Sequence, residues 1–270
     1  MLLHWKFDPI LISFGPVAIH WYGLLFVGAF LLGQTMLMRF FKAEGVPPEY
    51  VERLLLYALV GTIVGARLVH CLFYDPDYYL SHPLAILRIW EGGLASHGGT
   101  VGLILGLWWG SRPMRGEVPF LWLLDRVAVA TAFSVVLIRI ANFLNSEILG
   151  IPTSGRWGVV FEAVDGLPRH PVQLYEATAY LLIGVILLTV YRRLGKHTPH
   201  GLLFGWFMTL LFSARIGLEF FKVHQAAYAG GMTFSVGQYL SLPFVALGVF
   251  MIVWSKKRPP LSDEAGGGKA

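Results

Sequence analysis

From residue 16 to residue 254 the chain is a succession of apolar runs, most of them close to 20 residues long, joined by short polar connections. The runs are Pro16–Phe40, Tyr50–Phe73, Leu94–Gly110, Pro119–Leu144, Pro171–Tyr191, Gly201–Phe221 and Ser235–Trp254. At 1.5 Å of rise per residue, a helix of about 20 residues crosses the ~30 Å hydrocarbon core of a bilayer. The alternating, strand-like segments of a membrane barrel do not recur. Only 14% of residues are charged and 56% are hydrophobic, whereas soluble domains carry about 25% charged residues. The pattern predicts an all-α polytopic membrane protein with about seven transmembrane helices. The weakest run is Leu94–Gly110, which is short and opens among Gly92, Gly93, Gly98 and Gly99.

The net charge of +5 carries more information by position than by sign. Arg39, Lys42 and Arg53 flank the first connection, Arg112 and Arg115 the third, Arg192, Arg193 and Lys196 the fifth, and Lys256, Lys257 and Arg258 the tail. The alternate connections are poorer in Lys and Arg, so the positive-inside rule predicts a periplasmic N-terminus and a cytoplasmic C-terminus. Residues 1–258 are expected to form a single transmembrane domain with periplasmic loops around 75–92, 145–170 and 222–234. The Pro- and Gly-rich segment 259–270 reads as a disordered cytoplasmic tail. Nothing resembles a nucleic-acid-binding surface. The first ten residues lack the charged n-region and apolar core of a cleavable signal peptide. Cys71 is the only cysteine, which excludes an internal disulfide and a cysteine metal cluster.

Against this apolar grain, a few polar residues stand out. Arg139 lies inside Val127–Leu144, where a guanidinium costs ~2.5–3.5 kcal/mol on insertion scales and therefore calls for an anionic partner. Asn142 is three residues on and shares its helix face, and Glu147 follows within about two turns if the helix continues. Arg215 and Glu219 are four apart and so placed to neutralise each other. Arg67 sits beside the small-xxx-small pair Gly61 and Gly65, either paired within the bundle or snorkelling outward. His97 stands between glycines in WEGGLASHGG, as a hydrogen-bonded structural residue or as a proton acceptor near neutral pH. No histidine lies three or four residues from it, which argues against zinc. HPVQLYE, His170–Glu176, reads as a helix entry with Tyr175 as an interface anchor. Tyr22 in HWYG lies deep enough in its span that its hydroxyl needs a partner.

GPVAIHWYG, GARLVHCLFY, WEGGLASHGG, RIANFLNSEILG, HPVQLYE, ARIGLEFFK and MTFSVGQYLSLP occur in that order over roughly Gly15 to Pro243. Together they resemble the prolipoprotein diacylglyceryl transferases of bacterial inner membranes, with the block around Arg139 the most specific part. The resemblance implies seven transmembrane helices and transfer of the sn-1,2-diacylglyceryl group from phosphatidylglycerol to the lipobox cysteine of a prolipoprotein, with no cofactor. It also implies that His97, Arg139 and Arg215 are catalytic, and that Arg139, Asn142, Glu147, Gly150, Tyr22 and Gly98 bind substrate. The implied partners are phosphatidylglycerol, the prolipoprotein signal peptide and the bilayer. Ile138 precedes Arg139, and Ala141 stands where many family members carry a second glycine of the signature. Leu211 stands where the family has a tyrosine, so that role is not carried over.

The implied chemistry suits these residue types. A thiol attacks a glycerol carbon and a phosphate ester leaves, so the protein must bind phosphate, offset its charge and take a proton. A guanidinium grips phosphate oxygens bidentately and stays charged. Arg139 is expected to clamp the lipid phosphate with help from Arg215, and His97 to act as base, with Glu147 as its rival. Gly-rich half-spans and intramembrane arginines also suit a channel or transporter for an anionic solute. A rhomboid-like protease fits poorly, because Thr153–Gly155 falls in a loop.

Overall fold

The computed structural model describes residues 2–15, 17–89, 92–93, 95–223 and 235–257, without the side chains of Val17, Ser96, His97 and Val236. The expected tail, 259–270, lies outside the described residues, as does most of the loop at 222–234. Helices dominate: α1 Trp21–Glu44, α2 Glu49–Phe73, α3 Pro76–Ser81, α4 Ser96–Gly110, α5 Phe120–Leu144, α6 Val172–Leu194, α7 Leu202–Glu219 and α8 Val236–Ser255. Among the described residues six of these, α1, α2, α5, α6, α7 and α8, are long and apolar enough to cross a membrane. The chain is therefore a multi-pass membrane protein. The weak run at Leu94–Gly110 forms α4, which has only 15 residues.

The fold is mostly helical as expected, and five short strands are added to it among the described residues. β1 (Leu3–Trp5) pairs in parallel with β4 (Val159–Phe161), and β4 pairs antiparallel with β5 (Pro168–Arg169). β2 (Ile10–Phe14) and β3 (Val17–His20) form a separate hairpin. The sequence hid them because strands of two to five residues are too short to show a period of two. The hairpin also moves the start of the first helix from the expected Pro16 to Trp21. Its residues are rich in β-branched side chains, and Gly15 turns the chain at φ 58°, which suits glycine.

The chain divides into two compact units, Met1–Leu37 with Leu121–Ala270, and Met38–Phe120. In the second unit, α2 and α4 pack backbone against backbone. A Cβ on Gly102 would stand 2.0 Å from the Gly61 carbonyl oxygen, and one on Gly98 would stand 2.2 Å from that of Gly65. The small-xxx-small pair on α2 thus meets a matching glycine row on α4. Arg67 in this unit is 3% exposed. Its Nε donates to Ile86 O, Nη1 to the carbonyls of Gly92 and Gly93, and Nη2 to those of Ala85 and Arg88.

In the first unit, α5 is fixed at both ends. Near its start Asp125, fully buried, accepts from the backbone N–H groups of Gly201 at 2.7 Å and Phe204 at 2.8 Å. A carboxylate there satisfies orphan donors at the N-terminus of α7. At the other end, Phe143 packs between Trp5 and Phe161 with ring centroids 4.5 and 5.6 Å apart. The strand cap thereby anchors the last turn of α5 and the segment that follows it.

Candidate active site

Arg139 projects from the last part of α5, and its side chain is 17% exposed. Nη1 donates to Asn142 Oδ1 at 3.1 Å, so the two residues share a face. Asn142, 4% exposed, turns its Nδ2 toward Glu147 Oε2 at 3.1 Å, and Asn145 Nδ2 donates to Glu147 Oε1 at the same distance. A line of oriented groups thus runs from the guanidinium to the Glu147 carboxylate.

The helix does not continue to Glu147. It ends at Leu144, and the next turn closes with Glu147 N donating to Asn142 O at 2.9 Å. Ser146 and Ile148, on either side of Glu147, adopt left-handed conformations with φ 53° and 54°. For a β-branched residue such as Ile148 this is costly, of order 1–3 kcal/mol. The surroundings enforce it: buried Gln173 on α6 donates its Nε2 to the Glu147 carbonyl. Glu147 itself is exposed and lines a cavity of about 680 Å³ together with Ala18, Ile19, His20, Tyr22, Gly23 and Asn145. The Tyr22 side chain interacts with that of Asn142 and feels the charges of Glu147 and Arg139.

The anionic partner demanded by Arg139 is Glu176 on α6, whose Oε2 lies 3.1 Å from Arg139 Nε. The sequence reading passed over this residue by treating HPVQLYE as a helix entry. The rule that singled out Arg139, a charge inside an apolar run, applies equally to Glu176 and would have found it. Tyr180 and Lys222 were missed as well. The Arg139 guanidinium lies over the Tyr180 ring at 5.9 Å from its centroid, and Tyr180 also feels Arg215. Lys222 Nζ is 2.7 Å from Glu176 Oε1. A lysine just beyond a span gave no sequence signal, because such residues are ordinary flanks.

Arg215 and Glu219 do not pair. Glu219 meets Lys222 at 3.5 Å and accepts from the Ser235 hydroxyl at 3.0 Å, while Arg215 has no hydrogen bond or ion pair among the described residues. Gly150 is a packing position: a Cβ there would stand 2.3 Å from His170 O, and its backbone bridges to Lys222. Arg169 donates Nη1 to Gly150 O at 3.0 Å while its Nε binds Asp165 Oδ2 at 3.1 Å, and this guanidinium holds the Asp165 carboxyl below the usual carboxylate range. Tyr175 hydrogen bonds His170 Nδ1 at 3.2 Å. His97 and Gly98 lie in the first turn of α4, in the other unit. Gly98 is buried against Gly65 and Val69, and the His97 side chain lies outside the described residues.

The cluster of Arg139, Asn142, Tyr22 and Glu147 is suited to an anion with a polar neighbour. Comparison with known proteins narrows the class. The profile of the prolipoprotein diacylglyceryl transferase family matches residues 9–254. A protein of Tolumonas auensis named phosphatidylglycerol–prolipoprotein diacylglyceryl transferase is 54% identical over 256 residues, which is 95% of this chain and 98% of that protein. Proteins of the same name from Chloroherpeton thalassium and Bacteroides fragilis are 45% and 38% identical, each covering 95% or more of this chain and 96% of the relative. The family profile over residues 9–254 and near-complete coverage at this identity make the chain a member of the prolipoprotein diacylglyceryl transferase family.

Proposed function

We propose that the protein transfers the sn-1,2-diacylglyceryl group from phosphatidylglycerol to the lipobox cysteine of prolipoproteins, the first step of lipoprotein maturation. The observation that carries the reading, beside family membership, is the state of Arg139. Its Nη1 donates to Asn142 and its Nε faces Glu176 in an ion pair without a hydrogen bond, while Nη2 has no partner among the described residues; Asn142 links it to Glu147, which lines the cavity with Tyr22. An uncommitted guanidinium edge in a low-dielectric setting is a phosphate site. Arg215, likewise without an ion pair among the described residues, supplies a second positive charge.

In the reaction the cysteine sulfur forms a bond to C3 of the diacylglyceryl group, and the C3–O bond breaks with both electrons on oxygen. Glycerol phosphate departs, and the thiol proton passes to a protein base. Arg139 and Arg215 offset the charge that builds on the leaving phosphate. Asn142 and Tyr22 orient Arg139 and the head group, and Gly150 keeps the turn and Lys222 in register. Gly98 contributes to lipid binding beside His97. The base is His97, with Glu147 as the rival because its carboxylate lines the cavity. The protein works in the bacterial inner membrane with a periplasmic N-terminus, α4 providing the seventh crossing. The lipid and the signal peptide, itself an apolar helix, enter sideways from the bilayer.

The test is incubation of purified protein with labelled phosphatidylglycerol and a lipobox peptide. A diacylglyceryl adduct on the peptide cysteine, with Arg139→Ala reducing turnover by about 10²–10³-fold or more while still inserting, is the expected result. Full activity of Arg139→Ala sinks the clamp, and an unmodified peptide with wild-type protein sinks the transferase reading. The base is read from the pH profile. The ascending limb of the profile is lost in His97→Gln if His97 takes the proton and in Glu147→Gln if Glu147 does.

A further inference from the structure

The surroundings of Glu176 are more specific than charge balance requires. Its side chain has no solvent exposure, and its two oxygens face different cations, Arg139 Nε at 3.1 Å and Lys222 Nζ at 2.7 Å. Tyr180, one turn further along α6, aims its hydroxyl at Oε1 from 3.4 Å. One carboxylate therefore ties the end of α5 to Lys222, three residues beyond the end of α7. The ion pair sets Glu176 against the Nε side of Arg139 without a hydrogen bond and leaves Nη2 without a partner among the described residues.

We infer that Glu176 is a positioning residue that governs how firmly the site holds phosphate, and that Lys222 is a further cation of the head-group site. The inference rests on the transferase reading. Glu176 fixes the guanidinium with its free edge available to the lipid, and it also competes with phosphate for the same positive charge. That competition falls unequally on substrate and product. The lipid phosphodiester carries one negative charge, whereas a phosphate monoester carries ≈ 1.5–2 at pH 7. A resident anion beside Arg139 and Lys222 weakens the hold on the more charged species, so Glu176 favours release of glycerol phosphate after transfer.

Three variants of the full-length protein test this: Glu176→Gln, Lys222→Met and the two combined. With glycerol phosphate as the probe, Glu176→Gln is expected to bind it more tightly by on the order of tenfold, the scale of one partly screened charge a few ångström away. The KM for phosphatidylglycerol falls less, and kcat falls because product leaves slowly. Lys222→Met weakens glycerol phosphate binding. The double variant, which removes both charges of the buried pair, returns close to wild-type affinity and thermal stability, and Glu176→Asp restores wild-type inhibition. A merely structural ion pair gives another pattern: Glu176→Gln lowers kcat in step with thermal stability while glycerol phosphate affinity stays unchanged or weakens. That outcome overturns the inference. If Glu176→Gln does not fold, comparing the double variant with Lys222→Met decides the matter, because equal affinities in those two overturn it as well. Failure of wild-type protein to modify the lipobox peptide overturns the transferase reading instead, and glycerol phosphate binding remains measurable by calorimetry in that case.

Discussion

Arg67 and Arg139 are alike in sequence, each a guanidinium inside an apolar helix, and the bookkeeping of donors separates them. A guanidinium has five N–H donors. Those of Arg67 all go to the backbone carbonyls of Ala85, Ile86, Arg88, Gly92 and Gly93, so this residue shapes the segment that leads into α4. Arg139 keeps donors in hand. Arg67→Lys, with three donors on a compact head, leaves carbonyls unsatisfied at about 1–3 kcal/mol each. We expect a lower thermal midpoint in detergent with unchanged glycerol phosphate affinity. A loss of that affinity at full stability would make Arg67 a lipid ligand instead. At this scale the sequence shows which charges are out of place, but not their partners. Glu176 lies 37 positions from Arg139 along the chain, and the only sequence sign of it was that it, too, is misplaced.

Individual elements position the chemistry in two ways. The turn after α5 holds Glu147 between two left-handed residues, which a propensity reading does not foresee because neither Ser146 nor Ile148 is a glycine. Gln173 from α6 and the aromatic packing of Phe143 stabilise that turn from outside its own sequence. The α2–α4 contact works by an opposite device, the removal of side chains. Gly102→Leu places a branched side chain where even a Cβ would meet the Gly61 carbonyl at 2.0 Å. The two helices must separate, at a cost of about 1–3 kcal/mol or more. The same change at Gly116, where a Cβ meets nothing within 4 Å, is the control and should leave the thermal midpoint unchanged. Equal effects at the two positions would mean that the glycine row does not hold the helices.

For the molecule as a whole, the sequence and the structure agree on six long apolar helices and differ on the run Leu94–Gly110, which forms a helix of only 15 residues, and on what lies between the helices. The orientation is testable by labelling, since native Cys71 is 1% exposed and gives little background. A cysteine introduced at Gly166 is expected to react with an impermeant maleimide from outside spheroplasts, and one at Arg193 only after permeabilisation. The reverse pattern would invert the proposed topology. Apolar runs located the six long apolar helices, because in hydrocarbon each helix must satisfy its own backbone and so announces itself locally. The ordered blocks around Tyr22, His97, Arg139 and Arg215 likewise determined the family by resemblance. Only the tertiary structure decided that Glu176 and Lys222 complete the charge network, that Glu219 answers Lys222 rather than Arg215, and that Arg67 is saturated by carbonyls. The physical reason is that burial and pairing of charge depend on distances between elements remote in the chain, which no local pattern of residues encodes.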